Sequence, residues 1–395
     1  MKPSSGKVVS AYSGGLDSSM ILILLKEKYG YHEVVPVLVD VGQGEEEIEI
    51  AEKRAEKLGV RIEFFDAKKE FTEEYVFRCI KANGAYEGYP LGTSMTRVLI
   101  AHKVIEAASK IGAEAVAHGC TGKGNDQFRV EATFKFFAPE IRIVAPVREL
   151  DLSRSAEEEI LRKHGIEPKR KRGQLGGDIN MWSHSLGSGQ VEDLHSHYEQ
   201  DYFWTVPLEK TPDKPTRVSV EFEKGVPVNV NGIKDPVEII LYLNKVGGEN
   251  GVGRIDILED GMMSLKSREL YEAPAATVLL RTHEDLEHIT LTKEQLRVKR
   301  EVDRMWADMV YHAMWLHPLR RDLDALIDSM QRYVSGVVEA RLYKGNVEIV
   351  SRDSKESLFS PELRSVKKGG FDQRQATGAV NVYALPFTLY GKKRR

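Results

Sequence analysis

Lys7-Val8-Val9-Ser10-Ala11-Tyr12-Ser13-Gly14-Gly15-Leu16-Asp17-Ser18-Ser19 is the stretch on which the reading of this chain turns. A β-leaning run from Lys7 to Tyr12 stops at Ser13-Gly14-Gly15, and Leu16 to Tyr29 continues as a helix with a broad apolar surface. A strand-to-helix junction of this kind presents unpaired backbone N–H groups and the positive end of the helix dipole. Its glycines let a phosphate approach the backbone closely, and Ser13, Ser18 and Ser19 add hydroxyl donors. Asp17 beside a polyanion is repulsive unless it holds Mg²⁺ or a backbone N–H. The spacing is neither Gly-x-x-x-x-Gly-Lys-Ser/Thr nor Gly-x-Gly-x-x-Gly.

Outward from this turn, strand-like and helix-like segments alternate. Strands are expected at Glu33 to Val41, Val60 to Asp66, Glu114 to His118 and Ile141 to Ala145. Helices are expected at Glu45 to Leu58, Lys69 to Ala82, Thr93 to Ile111 and Phe128 to Phe137, with a loop from Asn83 to Gly92. Repeated β-α order predicts an α/β fold, a doubly wound parallel sheet covered by helices, with ligands at the carboxyl ends of its strands. After residue 150 the pattern becomes α+β. A hairpin around Gly225, helices at Ser155 to His164, Pro236 to Lys245, Lys293 to His317 and Leu319 to Val334, a strand at Val252 to Glu259, and paired strands around Lys344-Gly345 are expected. From Gly369 the tail has mixed polarity.

The 395 residues carry 57 Lys+Arg against 60 Asp+Glu, a formal net charge of -3, with 41% hydrophobic residues. That length suggests two or three domains with sizeable cores, and the balance argues against a general polyanion binder, though not against a local basic patch. The longest apolar run, Met20 to Leu25, is far short of the ~20 residues of a membrane helix, and Met1 to Gly6 lacks a signal-peptide core. Two cysteines, Cys79 and Cys120, exclude a disulfide scaffold and point to a reducing, cytoplasmic setting.

Two more stretches carry chemistry. His118-Gly119-Cys120-Thr121-Gly122-Lys123-Gly124-Asn125-Asp126-Gln127-Phe128-Arg129 follows a strand and enters a helix. Its amide, carboxylate and cations suit a small zwitterion, with Arg129 matched to a carboxylate and Asp126 to an ammonium. Tyr86-Glu87-Gly88-Tyr89-Pro90-Leu91-Gly92-Thr93-Ser94-Met95-Thr96-Arg97 precedes a long helix that Thr93 or Ser94 is placed to cap.

Ser13 to Ser18 resembles the pyrophosphate loop of the N-type ATP pyrophosphatases. With the two later loops it resembles the argininosuccinate synthase family, and the resemblance runs in order over nearly the whole chain. Further matches are Asp40 to Glu46, Ala138-Pro139, Val144 to Pro146, Gly251 to Asp256, Lys266-Ser267-Arg268, Tyr271-Glu272 and Leu342 to Val347. The resemblance implies a nucleotide-binding domain at 1–165, an α+β synthetase domain binding citrulline and aspartate at 166–368, and an oligomerisation tail at 369–395. It implies ATP-dependent condensation of L-citrulline with L-aspartate through citrullyl-AMP in arginine biosynthesis, giving argininosuccinate, AMP and pyrophosphate.

By the same resemblance ATP is met by Ala11, Tyr12, Ser13, Gly14, Gly15, Leu16, Asp17, Ser18, Ser19, Val39 and Gly119, with Asp17 and Ser18 at the chemical step. Aspartate is met by Thr121, Asn125 and Asp126; citrulline by Tyr89, Ser94, Asn125, Arg129, Gly176, Ser185, Glu259 and Tyr271. Mg²⁺ rides on ATP with no protein metal site, and the assembly is a homotetramer without nucleic acid or membrane partners. Gly176 stands where the family usually has Ser, so one hydroxyl contact is missing.

Two other readings compete: a tRNA-modifying pyrophosphate-loop ligase and a non-catalytic nucleotide sensor. The absence of Cys-x-x-Cys weighs against sulfur-transferring members of the first, and the completeness of both loops weighs against the second. His184, His195 and His197 lack a clear fourth zinc ligand, the basic runs Lys169 to Arg172 and Lys392 to Arg395 read as solvated, and Trp306 and Trp315 with Met305, Met309 and Met314 read as core or interface.

Overall fold

The computed structural model describes residues 6–167, 177–187, 189–195, 204–364 and 370–394. β1 (Lys7–Ala11) passes through the Ser-Gly-Gly turn into α1 (Leu16–Glu27), followed by β2 (Glu33–Asp40), α2 (Glu45–Lys57) and β3 (Glu63–Asp66). A helical run comes next: α3 (Lys68–Glu70), a π-helical stretch Phe71–Val76, and α4 (Phe77–Lys81). The expected loop then contains a small hairpin, β4 (Ala85–Tyr86) and β5 (Tyr89–Pro90). Then come α5 (Thr93–Ile111), β6 (Ala115–Ala117), α6 (Asp126–Phe137), β7 (Arg142–Val144), α7 (Pro146–Glu149) and α8 (Arg154–Lys163).

The large sheet has the order β3-β2-β1-β6-β7, and every neighbouring pair is parallel. The chain winds one way from β1 to β3 and the other way through β6 and β7. The turn after β1 and the loop after β6 therefore open side by side at the switch point, where such sheets bind ligands. Val8, Val9, Ala115, Val116 and Ala117 have no exposed surface, as expected for central strands covered on both faces. The broad apolar surface of α1 has two partners. Leu22 and Leu25 face Val8 and Val34 of the sheet, while Met20, Ile21 and Leu24 pack with Leu161 and Ile166 around α8.

The remainder of the first unit is built on antiparallel sheets. Its elements are β8 (Gly177–Ile179), β9 (His184–Leu186), β10 (Thr216–Glu223), β11 (Val226–Val230), α9 (Pro236–Glu249), β12 (Arg254–Asp260), β13 (Lys266–Glu272), α10 (Pro274–Thr290), α11 (Lys293–Tyr311), α12 (Pro318–Gln331), β14 (Gly336–Tyr343) and β15 (Asn346–Asp353). They form the sheets β11-β10-β14-β15 and β12-β13-β9-β8. One apolar cluster joins Val9 and Val37 of the parallel sheet to Val220, Leu279, Trp306 and Val338. Residues 1–356 make one compact unit and 357–395 a second. The second contains α13 (Pro361–Arg364) and α14 (Gln375–Arg394).

Several expectations are corrected. Neither Thr93 nor Ser94 caps α5: its N-cap is Gly92, without a side-chain hydrogen bond. Thr93 Oγ1 donates instead to Asp178, 2.8 Å away, and the Ser94 hydroxyl is buried without a partner among the described residues. α11 stops at Tyr311, well short of His317, because Ala313 turns to φ 63°. β13 and α10 had no expectation. β13 carries charged residues at four of its seven positions, on both faces, and α10 begins at a proline that serves as its first residue. The tail of mixed polarity is helical despite Pro386. Gly176, His197 and the run Lys169 to Arg172 lie outside the described residues.

Candidate active site

A cleft of about 1100 Å³ opens at the switch point. It is lined by Ala11 through Ser18, by Val39 and Gly119, by Thr121, Asn125, Asp126 and Arg129, and by Tyr89, Ser94, Ser185, Glu259 and Tyr271. Every candidate side chain within the described residues thus reaches one cavity, except Ser19, which is fully buried and does not line it.

The turn after β1 is shaped by its own hydroxyls. Ser13 and Ser18 Oγ atoms lie 3.2 Å apart, the Gly15 N–H donates to Ser13 Oγ at 3.3 Å, and Ser18 Oγ donates to the Gly15 carbonyl at 3.0 Å. Gly14 sits at φ 75° against α2, and the Arg54 guanidinium donates to its carbonyl. The result is a tight, amide-rich concavity at the start of α1, suited to a polyphosphate. Across the switch point, Gly119 approaches the backbone of Asp17 and Ser18, so that a Cβ there would stand 3.6 Å from Ser18 N.

Deeper in the cleft, four charged groups from three elements interlock. Arg97 of α5 donates through Nε to Asp126 and through Nη2 to Asp178, each at 2.7 Å. Asp126 also accepts from Arg129 Nη1 at 2.9 Å. Burial alone would raise the Asp126 carboxyl, but the two guanidiniums outweigh it and hold it below the usual carboxylate range. Burial opposes the charge on Arg97, and Asp126 and Asp178 more than offset it. Asp126 and Arg129, expected to meet an ammonium and a carboxylate, also hold each other. Arg129 Nε and Nη2 also donate to the carbonyl of Tyr311, at 3.2 and 3.1 Å.

Aromatic rings form one wall. Tyr89 stacks on Tyr271 at 4.0 Å between centroids, and Tyr86 on Tyr311 at 3.7 Å. Glu259, 3% exposed, accepts from Tyr271 at 2.8 Å and from Tyr311 at 2.7 Å. Asn125 donates to the Tyr311 hydroxyl and accepts from the Met262 N–H. A carboxylate held by two phenols beside stacked rings, with the Ser94 hydroxyl, which has no partner among the described residues, in the same cavity, can seat an amino-acid head group.

Glu269 lies on the same face of β13 as Tyr271 and has no hydrogen-bond or ion-pair partner among the described residues. Its carboxyl crosses Gly187 so closely that a Cβ there would meet Glu269 Oε2 at 2.1 Å. Burial first, then the nearby Glu259 and Asp126, push its pKa up to about 8. An ordinary Glu titrates at about 4.3. The unfolded chain therefore loses this proton first, and folding stability declines as pH rises from about 4 to about 8. Glu269→Gln should accordingly raise Tm above pH 8 and lose that advantage near pH 4. Thermal melts across this range check it, and a constant difference would refute it.

Sequence reasoning quoted Arg97 without a role and passed over Asp178, Tyr311 and Glu269. Arg97 carried a usable signal, a lone cation at the start of a helix facing the strand ends; Tyr311, the last residue of a charged helix, carried none. His184 bonds Glu272 at 2.9 Å, and among the described residues no group of three His, Cys, Asp or Glu side chains converges on a cation.

A parallel sheet in this order, with a phosphate-shaped turn and an adjoining amino-acid cavity, defines a nucleotide-binding domain joined to a synthetase domain. Residues 7–167 match the model of the "Arginosuccinate synthase N-terminal HUP domain" and residues 176–390 that of the "Arginosuccinate synthase C-terminal domain". The argininosuccinate synthase of Methanopyrus kandleri is 48% identical over 391 residues, covering 98% of this chain and 99% of the relative. That of Methanocaldococcus jannaschii is 47% identical over 98% of both chains, and that of Archaeoglobus fulgidus is 48% identical over 97% of this chain and 98% of the relative. The chain belongs to the argininosuccinate synthase family.

Proposed function

We propose that this protein is an ATP-dependent C–N ligase that joins L-citrulline to L-aspartate through citrullyl-AMP and releases AMP and pyrophosphate, a step of arginine biosynthesis. The supporting observation is a single cleft that places a pyrophosphate-shaped turn beside a tyrosine-walled pocket holding both anionic and cationic groups. ATP lies along Ala11 to Ser18, Val39 and Gly119, with its polyphosphate over the start of α1. Asp17 would hold Mg²⁺ carried on the polyphosphate, and the ion would supply charge neutralisation as pyrophosphate departs.

Citrulline occupies the pocket of Tyr89, Ser94, Asn125, Arg129, Ser185, Glu259 and Tyr271, and Glu259 receives its ammonium. Aspartate is held by Thr121, Asn125 and Asp126. Holding both amino acids at one adenylate makes proximity the main source of acceleration.

Because adenylation precedes aspartate attack, citrulline and ATP alone should support exchange of label between pyrophosphate and ATP. Exchange that needs aspartate but not citrulline would reverse the assignment.

The working assembly in this reading is a homotetramer in the cytoplasm, joined through the tail. The support is α14, where Val380, Val382, Tyr383, Leu385, Phe387, Leu389 and Tyr390 are all exposed. At about 25 cal/mol per Å² of apolar surface, so many side chains gain several kcal/mol from a partner. Light scattering should show a tetramer for the full chain and smaller species for a chain ending at residue 368. A tetramer indifferent to that cut would exclude the tail as the joint.

A further inference from the structure

We infer that Gln127 and Arg148, which do not line the cleft, are positioning residues that clamp the Gly119–Gly124 loop in shape for the second amino-acid substrate. The inference rests on the reading above, in which Thr121 and Asn125 bind aspartate. Three glycines in six residues leave this loop little ability to hold itself, and each backbone residue to be ordered costs about 1–2 kcal/mol of conformational entropy. The side chain of Gln127, 6% exposed in the first turn of α6, uses its whole amide on the problem. Nε2 donates to the carbonyls of Gly122 at 2.9 Å and Gly124 at 3.1 Å, and Oε1 accepts from Arg148 Nη1 at 2.8 Å. Two carbonyls on one side and a guanidinium on the other allow only this orientation of the amide.

The clamp closes on the other end of the loop as well. Arg148 Nη2 pairs with Glu131 Oε1 at 2.6 Å, and the same oxygen lies 3.0 Å from His118 Nε2. His118 Nδ1 accepts the Cys120 N–H at 3.2 Å, which places the ring proton on Nε2, facing Glu131. Cys120 is thus tied through His118, and Gly122 and Gly124 through Gln127, to a single Glu131–Arg148 pair. Gly122 lies against the stem of Arg148, where a Cβ would come within 3.4 Å of Cγ. A loop held at both ends in this way is pre-organised, and the ordering cost is not charged against aspartate when it binds.

The test uses the full-length enzyme with Gln127→Glu and Arg148→Met, and with Arg148→Lys as the conservative variant. Gln127→Glu replaces two donors by an oxygen facing two carbonyls while keeping a partner for Arg148. At about 1 kcal/mol for each hydrogen bond lost, KM for aspartate should rise about tenfold or more. KM for citrulline, and citrulline-dependent pyrophosphate–ATP exchange without aspartate, should stay within about twofold of wild type. Amide hydrogen exchange over residues 119–125 should accelerate, and Arg148→Lys should fall between wild type and Arg148→Met. An unchanged aspartate KM with unchanged amide exchange overturns the clamp, as does an equal loss in the aspartate-free exchange, which would mark general damage. If wild type itself shows no citrulline-dependent exchange, the proposed function fails instead, and amide exchange alone then decides whether the clamp exists.

Discussion

Gly14→Ala should reduce ATP-dependent turnover by at least about 100-fold, the scale expected when reacting groups are displaced by an ångström. Gly14 holds φ 75°, and a Cβ there would lie 2.4 Å from the Cβ of Ala51 and 2.5 Å from its Cα. Left-handed backbone costs a non-glycine residue roughly 1–2 kcal/mol, and the contact is with the backbone of α2, which cannot swing aside as a side chain would. Either the turn opens or α2 retreats, and both displace the amides that would face the polyphosphate. Gly15 is the control. It is outside the left-handed region, and a Cβ there meets only the Ser13 hydroxyl at 3.2 Å and Ser18 Oγ at 3.9 Å. Gly14→Ala should lower Tm by several degrees and Gly15→Ala should leave it nearly unchanged. Equal melting temperatures would show that the approach of Gly14 to α2 carries no weight.

Arg97→Met should be comparably damaging for a different reason. Removing Arg97 leaves Asp178 with only the Thr93 hydroxyl among the described residues and leaves Asp126 dependent on Arg129. Breaking a fully buried charge group costs about 3–5 kcal/mol. These side chains are 22 to 29% exposed, so water screens part of that, and a loss of about 2 kcal/mol is expected. The catalytic effect should exceed the stability effect, because β8, α5 and α6 meet at this cation. kcat/KM for both amino acids should drop about 100-fold, while Arg97→Lys, whose single ammonium lacks the fork that gives one bond to each carboxylate, should fall between. A variant whose kinetic loss is confined to ATP would show that Arg97 belongs to the nucleotide side of the cleft.

How much of this was legible in one dimension depends on how local the chemistry is. The turn from Ser13 to Ser18 is read directly, since a strand, two glycines and a helix start are all contiguous and their combination has few other uses. The parallel sheet follows from the same kind of signal, repeated. β13 and α10 were not legible: Lys266, Arg268 and Glu272 on one face of β13 and Glu269 on the cleft-lining face leave no apolar alternation, and α10 is obscured by burial on several sides. The helical tail was obscured by Gly378, Pro386 and its β-branched residues, which lower helix propensity without forbidding it.

The sequence by itself determined the nucleotide turn, the α/β order of the first half and most of the residues that gather in the cleft. Only the tertiary structure decided what those residues do to one another. Arg97 meets Asp178 across 81 positions, Tyr311 joins Glu259 from 52 positions away, and Gln127 meets Arg148 across 21. Burial, with the Glu259 and Asp126 carboxylates beside it, pushes the Glu269 carboxyl up to about 8. Such pairings leave no periodic or contiguous trace, because electrostatics and hydrogen bonding act over a few ångströms of space, whatever the separation along the chain.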